Sequence, residues 1–427
     1  MSAGGPSGGP SGLAVSQDAT ALHVPHQLRD RAHVGDQYAE TYNFSGPAFG
    51  QVNDIVIPSN SMVVRDVWIQ FTLAAAGGPA NPAYLPTDNF IGNSGVQLLL
   101  NDKTLISVSE AEQMVYNPLV CSNATQLLRR LTATNNVPSA TRQSLGGSSN
   151  VYLMNLRRIA DLWQYCGPIG SYPSNKWSLS VDLKEVEKCV DGTTAVAGTG
   201  SISAMKLILV GHRESEKNMD RIAAKLADGG VRIMLTEANL VNSTWSAAAT
   251  EAVVSAPQLE GEMTSIIFLI RETAGIAGAT GSDVNPRDFN SYDAVGDTLS
   301  IGTAANPTKL YGKAMPQKVL RYIMPNTSYA GGSLYFDAGA NVGDLKAIVL
   351  PMAEDEGVEM RFGSYSGSRY IKNDLQATFN FTSTVTADTV NMIVYMSRGL
   401  VLGMNGFSAF NWEAVAPMNE SGVSMET

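Results

Sequence analysis

The stretches PSNSMVVRDVWIQFTL, residues 58–73, and PQLEGEMTSIIFLI, residues 257–270, decide the fold when they are laid side by side. Each opens on a proline and runs into β-branched, aromatic and aliphatic residues of the kind that form strands. The spacing is constant: Pro58 precedes Pro257 by 257 − 58 = 199 positions, and Val67, Trp68, Ile69 and Phe71 precede Ile266, Ile267, Phe268 and Ile270 by the same 199. A second echo follows in the same order. Gly170-Ser171-Tyr172 leads into alternating Trp177, Leu179, Val181 and Leu183, and Gly363-Ser364-Tyr365 leads into Leu375, Ala377, Phe379 and Phe381, an offset of 363 − 170 = 193. Each half then ends on an apolar strand, MKLILV at 205–210 and NMIVYM at 391–396. Matching order at near-constant spacing reads as one β unit present twice.

Working outward, strand signals fall at residues 38–44, 55–57, 62–73, 96–100, 151–163, 176–183 and 202–210 in the first half. In the second they fall at 231–235, 264–270, 319–323, 333–336, 347–350, 375–381 and 390–396. The alternation at Trp177, Leu179, Val181 and Leu183 puts four apolar side chains on one sheet face. Two stretches read as helix. Residues 109–132 open with Ser109 and Glu112 in capping-box spacing, and Pro118 should break or kink them. Residues 214–226, with Ile222 and Leu226 at i and i+4 and Gly229-Gly230 as a stop, form a linker helix. Residues 74–90 and 273–297 fall outside the pattern as long loops, suited to capping a surface or gripping a neighbour. The domains expected are an arm at 1–33, a first barrel at 34–213, the linker helix at 214–230, a second barrel at 231–412 and a tail at 413–427.

Composition agrees with two cores. The chain has 427 residues, 44% of them hydrophobic and 16% charged, with 40 Gly and 19 Pro for turns. The net charge of −10 repels phosphate, so the folded body is not expected to bind nucleic acid. The arm carries the duplicated GGPSGGPSG block, which lacks the apolar surface to offset its ordering entropy, and then the locally basic LHVPHQLRDRAH. Neither reads as a signal peptide, and no apolar run approaches the roughly 20 residues that span a bilayer. Cys121, Cys166 and Cys189 stand at irregular spacings and read as reduced thiols. The sequons at Asn43, Asn123, Asn242, Asn326, Asn380 and Asn419 read as chance in an Asn/Ser/Thr-rich β protein.

YAETYNFSGP, PSNSMVVRDVWIQFTL, GVQLLLNDKTLISVSEAEQM and the closing passage GSYSGSRYIKNDLQATFNFTSTVTADTVNMIVYMSRGLVLGMNGFSAFNW resemble the double jelly-roll major capsid proteins of tailless icosahedral DNA viruses, the lineage of tectiviruses, corticoviruses and adenovirus hexons. The resemblance covers roughly residues 36–412 and rests on patterns, with no catalytic signature. It implies an all-β chain of two tandem jelly-roll barrels. It further implies a homotrimeric, pseudo-hexameric capsomer that tiles an icosahedral shell and contacts neighbouring capsomers. Minor capsid and vertex proteins are implied as further partners, and so is an internal membrane surface, with lipid headgroups met by the arm. The location implied is the virion, assembled in the host cytoplasm.

A search for chemistry yields no catalytic, cofactor or metal residue. His23, His26 and His33 lie in the arm and His212 beyond a strand, so imidazoles do not cluster inside one barrel as a cupin-type metal site needs. The GxSxG match at Gly5–Gly9 lies in the repeat, with no strand or helix to frame it. Glu354, Asp355, Glu356 and Glu359 could offer oxygens to calcium but lack the spacing of a known loop and read as a solvated face. Arg129-Arg130 and Arg157-Arg158 are basic pairs without interleaved aromatics, and salt bridges to an acidic neighbouring subunit explain them as well as nucleic acid would. An enzyme is therefore not expected. The alternative is a viral spike or carbohydrate-binding jelly roll, which would expose aromatics for sugar stacking; Trp68, Trp163, Trp177, Trp245 and Trp412 instead read mostly as core.

Overall fold

The computed structural model describes residues 37–410 apart from 79–81, 121–145, 173–175, 192–197, 275–289, 291, 293, 304–313, 323–346, 352–368 and 404–405. The arm, the tail, Cys121, Arg129-Arg130, the strand expected at 333–336, Gly363–Tyr365 and the acidic run at Glu354 lie outside the described residues.

The first half contains β1 (Gln37–Asn43), β2 (Val52–Ile57), β3 (Met62–Leu73), β4 (Ala83–Tyr84), β5 (Ile91–Leu100), β6 (Lys103–Val108), β7 (Asn150–Asn155), β8 (Trp177–Leu183), β9 (Val190–Asp191) and β10 (Ile202–Arg213). One sheet has the order β1-β10-β3-β7, a second β2-β8-β5-β6, and β4 pairs with β9 alone. Neighbours are antiparallel, and β1, β2, β3 and β5 alternate between the two large sheets. This is the wiring of a jelly roll.

The second half contains β11 (Val231–Trp245), β12 (Glu251–Glu272), β13 (Thr298–Gly302), β14 (Met315–Pro316), β15 (Ile348–Pro351), β16 (Arg369–Asn380), β17 (Asp388–Gly403) and β18 (Gly406–Phe410). The path β11-β17-β12-β15 repeats β1-β10-β3-β7, and β12-β16-β13-β14 repeats β2-β8-β5-β6. β12 serves both sheets: up to Met263 it pairs with β16, and from there with β17 and β15. It thus holds the places that β2 and β3 hold separately. Register shifts between Ala256 and Leu259 and between Met263 and Ser265 bend it, with Gly261 between them at φ +136°, a conformation side chains resist. Pro58 sits in the β2–β3 break and Pro257 in the corresponding bulge, so the offset of 257 − 58 = 199 holds in space as it does in sequence. Val67, Ile69 and Phe71 join the first core, and Ile266, Phe268 and Ile270 the second.

Among the described residues the α-helices are α1 (Glu110–Val120), α2 (Arg157–Trp163), α3 (Glu216–Ala227) and α4 (Gln317–Tyr322), joined by short 3-10 turns at Thr87–Phe90, Ile169–Ser171 and Val186–Lys188. α3 is the linker helix read from sequence. Ser215 Oγ caps it by accepting from the Asn218 amide at 3.3 Å, and Ile222 and Leu226 are buried against the first core.

Several expectations are corrected. The strand read at 151–163 stops at Asn155 and turns into α2, where Ile159 and Trp163 at i and i+4 enter the core as only helical spacing allows. The strand read at 319–323 is α4 up to Tyr322: Pro316 cannot extend the β14 ladder, having no N–H, and its fixed φ starts a helix instead. Asn101 and Asp102, at φ 54° and 61°, turn the chain in a hairpin from β5 into β6, a strand that sequence reading missed. α1 runs on through Pro118 to Val120. Within the expected loop 74–90, Tyr84 and Phe90 are buried in an aromatic cluster with Phe49, Phe71 and Tyr152, so this stretch belongs to the first core. Trp68, expected in the core, points outward, and its Nε1 donates to Asp66 at 2.7 Å. Cys166 and Cys189 are free and buried, and burial pushes both thiols up.

Candidate functional site

The site that the sequence concealed is the junction between the two jelly rolls. In most outer strands burial alternates, as in β8, but from Met263 to Arg271 of β12 and from Asp388 to Met396 of β17 every residue is buried. One side of these strands faces the second core. The other packs Ile267, Leu269, Val349, Ile393 and Tyr395 against Ala111, Met114, Val115 and Tyr116 of α1, a helix of the first half. Ile393 therefore lies in the junction and not between the sheets of its own barrel. The continuous apolar runs IIFLI and MIVYM carry that signal, since a strand buried on both faces loses its alternation.

Charged side chains are built into the same layer. Ser109 Oγ accepts from the Glu112 amide at 3.2 Å, one arm of the capping box read from sequence, and the Ser109 amide favours the charged form of the Glu112 carboxylate. The carboxylate also receives Arg158 Nε at 3.0 Å, with both side chains almost fully buried. Arg158 lies over the neighbouring rings of Tyr116 and Tyr395, 5.3 and 5.7 Å from their centroids, and donates to the Thr236 carbonyl of β11. Burial pushes the Glu112 carboxyl up, against the opposing pull of Arg158, the Tyr395 hydroxyl and the Ser109 amide. Arg157 pairs with Asp161 at 2.7 Å. Both arginines thus find acidic partners in their own chain, which corrects the expectation of a neighbouring subunit.

Glu110 joins three elements. It meets Lys184 at 2.5 Å, Asn89 at 3.0 Å and Arg271 of β12 at 3.3 Å, and Arg271 in turn donates to Asn391 of β17 at 3.0 Å. Burial alone would raise the Glu110 carboxyl, but Lys184 and Arg271 outweigh it and hold the group below its ordinary value. Its contribution to stability is therefore in place above that ordinary value, ~4.3, and is lost as pH falls through the lower folded-state value. Asp297 behaves likewise: burial raises it, but the amides of Thr382, Ser383 and Ala294 and the Ser383 hydroxyl bring it down. Unfolding midpoints followed from about pH 6 down to about pH 2 should fall steeply for the unaltered chain and less steeply for Glu110→Gln and Asp297→Asn. An unchanged slope in both variants would remove these carboxylates from the acid response.

His212 is buried with Nε2 3.1 Å from Glu214, at the exit of β10; His23, His26 and His33 lie outside the described residues. Among the described residues no three His, Cys, Asp or Glu side chains are grouped to hold a metal ion, and no helix is long and apolar enough to cross a membrane. Among the described residues the junction is filled by buried side chains. Its chemistry is that of a clamp, fixing one barrel on the other through apolar packing and buried ion pairs.

No protein-family model and no curated protein matches the chain. Solved structures do. VP54 of PBCV-1, fitted into a reconstruction of the virophage Sputnik, superposes with a TM-score of 0.63 at 13% identity, covering 90% of this chain and 98% of that one. A chain of the PBCV-1 virus capsid gives 0.59 at 13% identity, with 90% and 98% covered. The Faustovirus major capsid protein gives 0.54 at 10% identity, with 87% and 91% covered. Agreement over nearly the whole of both chains, together with two jelly rolls of the same strand order, gives this chain the double jelly-roll fold of those viral capsid proteins.

Proposed function

We propose that the chain is a structural major capsid protein, not an enzyme, and that three copies associate into a pseudo-hexameric capsomer of an icosahedral shell. The observation that carries this reading is the repeated jelly roll: two barrels of one wiring, packed together in one chain, would present six similar flanks from three chains. Contacts repeated head to tail around an axis close into such a ring. The expected division at 34–213, 214–230 and 231–412 belongs to this reading, with the arm at 1–33 on the inner side of the shell. Copies of the chain are the first partners, in the trimer and between capsomers. Minor capsid and vertex proteins, and a membrane surface beneath the arm, would follow from assembly in a virion formed in the host cytoplasm.

Solution mass decides the first step: the purified chain should weigh three times its 45.4 kDa at micromolar concentration. Negative-stain images should show hexagonal tiles, plates or shells. A stable monomer or dimer with no larger species would refute the tile and favour the spike or carbohydrate-binding alternative.

A further inference from the structure

Glu110 Oε1 accepts from two nitrogens at once, Lys184 Nζ at 2.5 Å and Asn89 Nδ2 at 3.0 Å. Strand register brings the two donors together. Ile91 of β5 pairs with Leu183 of β8, and one step further the Lys184 amide donates to the Phe90 carbonyl at 2.8 Å, so Lys184 lies beside the 3-10 turn that carries Asn89. Glu110 reaches them from the first turn of α1, and Arg271 of β12 holds its other oxygen, Oε2, at 3.3 Å. Asn89 is fully buried, and the Lys184 and Glu110 side chains are only 15% and 12% exposed, so little water competes for these groups. An amine, a carboxamide and a carboxylate in contact with both are the nucleophile, the electrophile and the proton carrier of an amide exchange, held together by the fold. An ion pair between Lys184 and Glu110 does not by itself require the carboxamide on the same oxygen.

We propose that Lys184 and Asn89 are the site of an autocatalytic cross-link, an isopeptide bond formed within the chain with Glu110 as the proton shuttle. Glu110 takes a proton from the Lys184 ammonium, and the freed amine attacks Cγ of Asn89. The Nζ–Cγ bond forms and the Cγ–Nδ2 bond breaks. Glu110 passes its proton to the departing nitrogen, and the attacking nitrogen gives up a second one, so that ammonium leaves and Glu110 is again a carboxylate. No oxidant or cofactor takes part, and the reaction runs once per chain. Burial raises the Glu110 carboxyl, but Lys184 and Arg271 outweigh it and hold the group below its ordinary value. Glu110 therefore starts in the basic form as a weak base, and conversion is slow and speeds up as rising pH frees the amine. The bond ties positions 184 − 89 = 95 residues apart, which confines the unfolded chain and makes the first jelly roll harder to unfold. It is independent of the trimer.

Intact mass reads the reaction as a loss of about 17 Da, in the purified full chain and in the same chain aged for days at about pH 9. A branched peptide joining the Asn89 and Lys184 segments after proteolysis identifies the bond, and it is sought in the unaltered chain, so this readout does not depend on any variant folding. Expected are the loss and the branched peptide in the unaltered chain, neither in Lys184→Arg or Asn89→Ala, and conversion at least about 10-fold slower in Glu110→Gln. Thermal unfolding should give converted chain a higher midpoint than unconverted chain, and Lys184→Arg, which keeps a cation beside Glu110, should match the unconverted chain. An unchanged mass before and after ageing would mean an ion pair only and overturn the proposal. A loss of the same size that persists in Lys184→Arg would overturn it too, by placing the lost ammonia elsewhere, as in an asparagine closing on its own backbone. Conversion at an unchanged rate in Glu110→Gln would overturn the role given to Glu110.

Discussion

Replacing Arg158 by Ala is expected to destabilise the protein by about 3–5 kcal/mol, because the change strands the Glu112 carboxylate in a buried site from which its counterion has gone. The same substitution removes the donor to the Thr236 carbonyl and takes the guanidinium off the faces of the Tyr116 and Tyr395 rings. The double variant Arg158→Met with Glu112→Leu should recover most of the loss, since apolar residues of similar volume avoid burying an unpaired charge. Denaturant unfolding of the unaltered chain, Arg158→Ala and the double variant measures this. If Arg158→Ala alone leaves the midpoint in place, the junction is wetter and looser than the geometry indicates. The single variant should also unfold with the halves less tightly coupled, visible as a broadened or two-step transition.

The second large effect is expected at Phe379. It is fully buried, with ring centroids of Phe268, Trp245 and Phe381 at 5.4, 5.6 and 6.2 Å. Phe379→Ala should cost about 3–5 kcal/mol through lost transfer energy and the cavity left among these rings. Trp68→Ala, measured beside it on dissociated chain, should cost far less, because the indole lies outside the sheet. Equal losses at the two positions would mean that the outward assignment of Trp68 is wrong.

That contrast shows what the sequence discloses. Periodicity states that residues 62–73 form a strand and which side chains alternate, but the repeat at 199 positions matches Trp68 with Ile267 as readily as Val67 with Ile266 and leaves open which face is inward. Val67, Ile69 and Phe71 match Ile266, Phe268 and Ile270 on spacing alone. Trp68 misled because a large aromatic in a strand is read as core, whereas in a two-layer protein the face it lies on matters more than its type. The clamp was hidden for a different reason. Its members, Glu110, Glu112, Arg158, Lys184, Arg271 and Tyr395, are scattered across both halves, and a buried ion pair between such distant positions leaves no local pattern. The loss of alternation in IIFLI and MIVYM was the available signal. It states that something covers the second sheet, though not that the cover is a helix made some 150 residues earlier. Short helices such as α2 and α4 escaped because their β-branched and aromatic residues favour strands in isolation, and tertiary packing decided otherwise.

The covering of the second sheet by α1 also has a consequence in time. Ala111, Met114, Val115 and Tyr116 are synthesised well before Ile267 and far ahead of Ile393 and Tyr395, which bury them. At a translation rate of about 5–20 residues per second, the helix waits on the order of tens of seconds with its apolar side bare. A newly made first barrel is thus an adhesive intermediate. Its safe passage depends on the ribosome, a chaperone or dilution keeping copies apart until the second barrel arrives to cover what the first has left open.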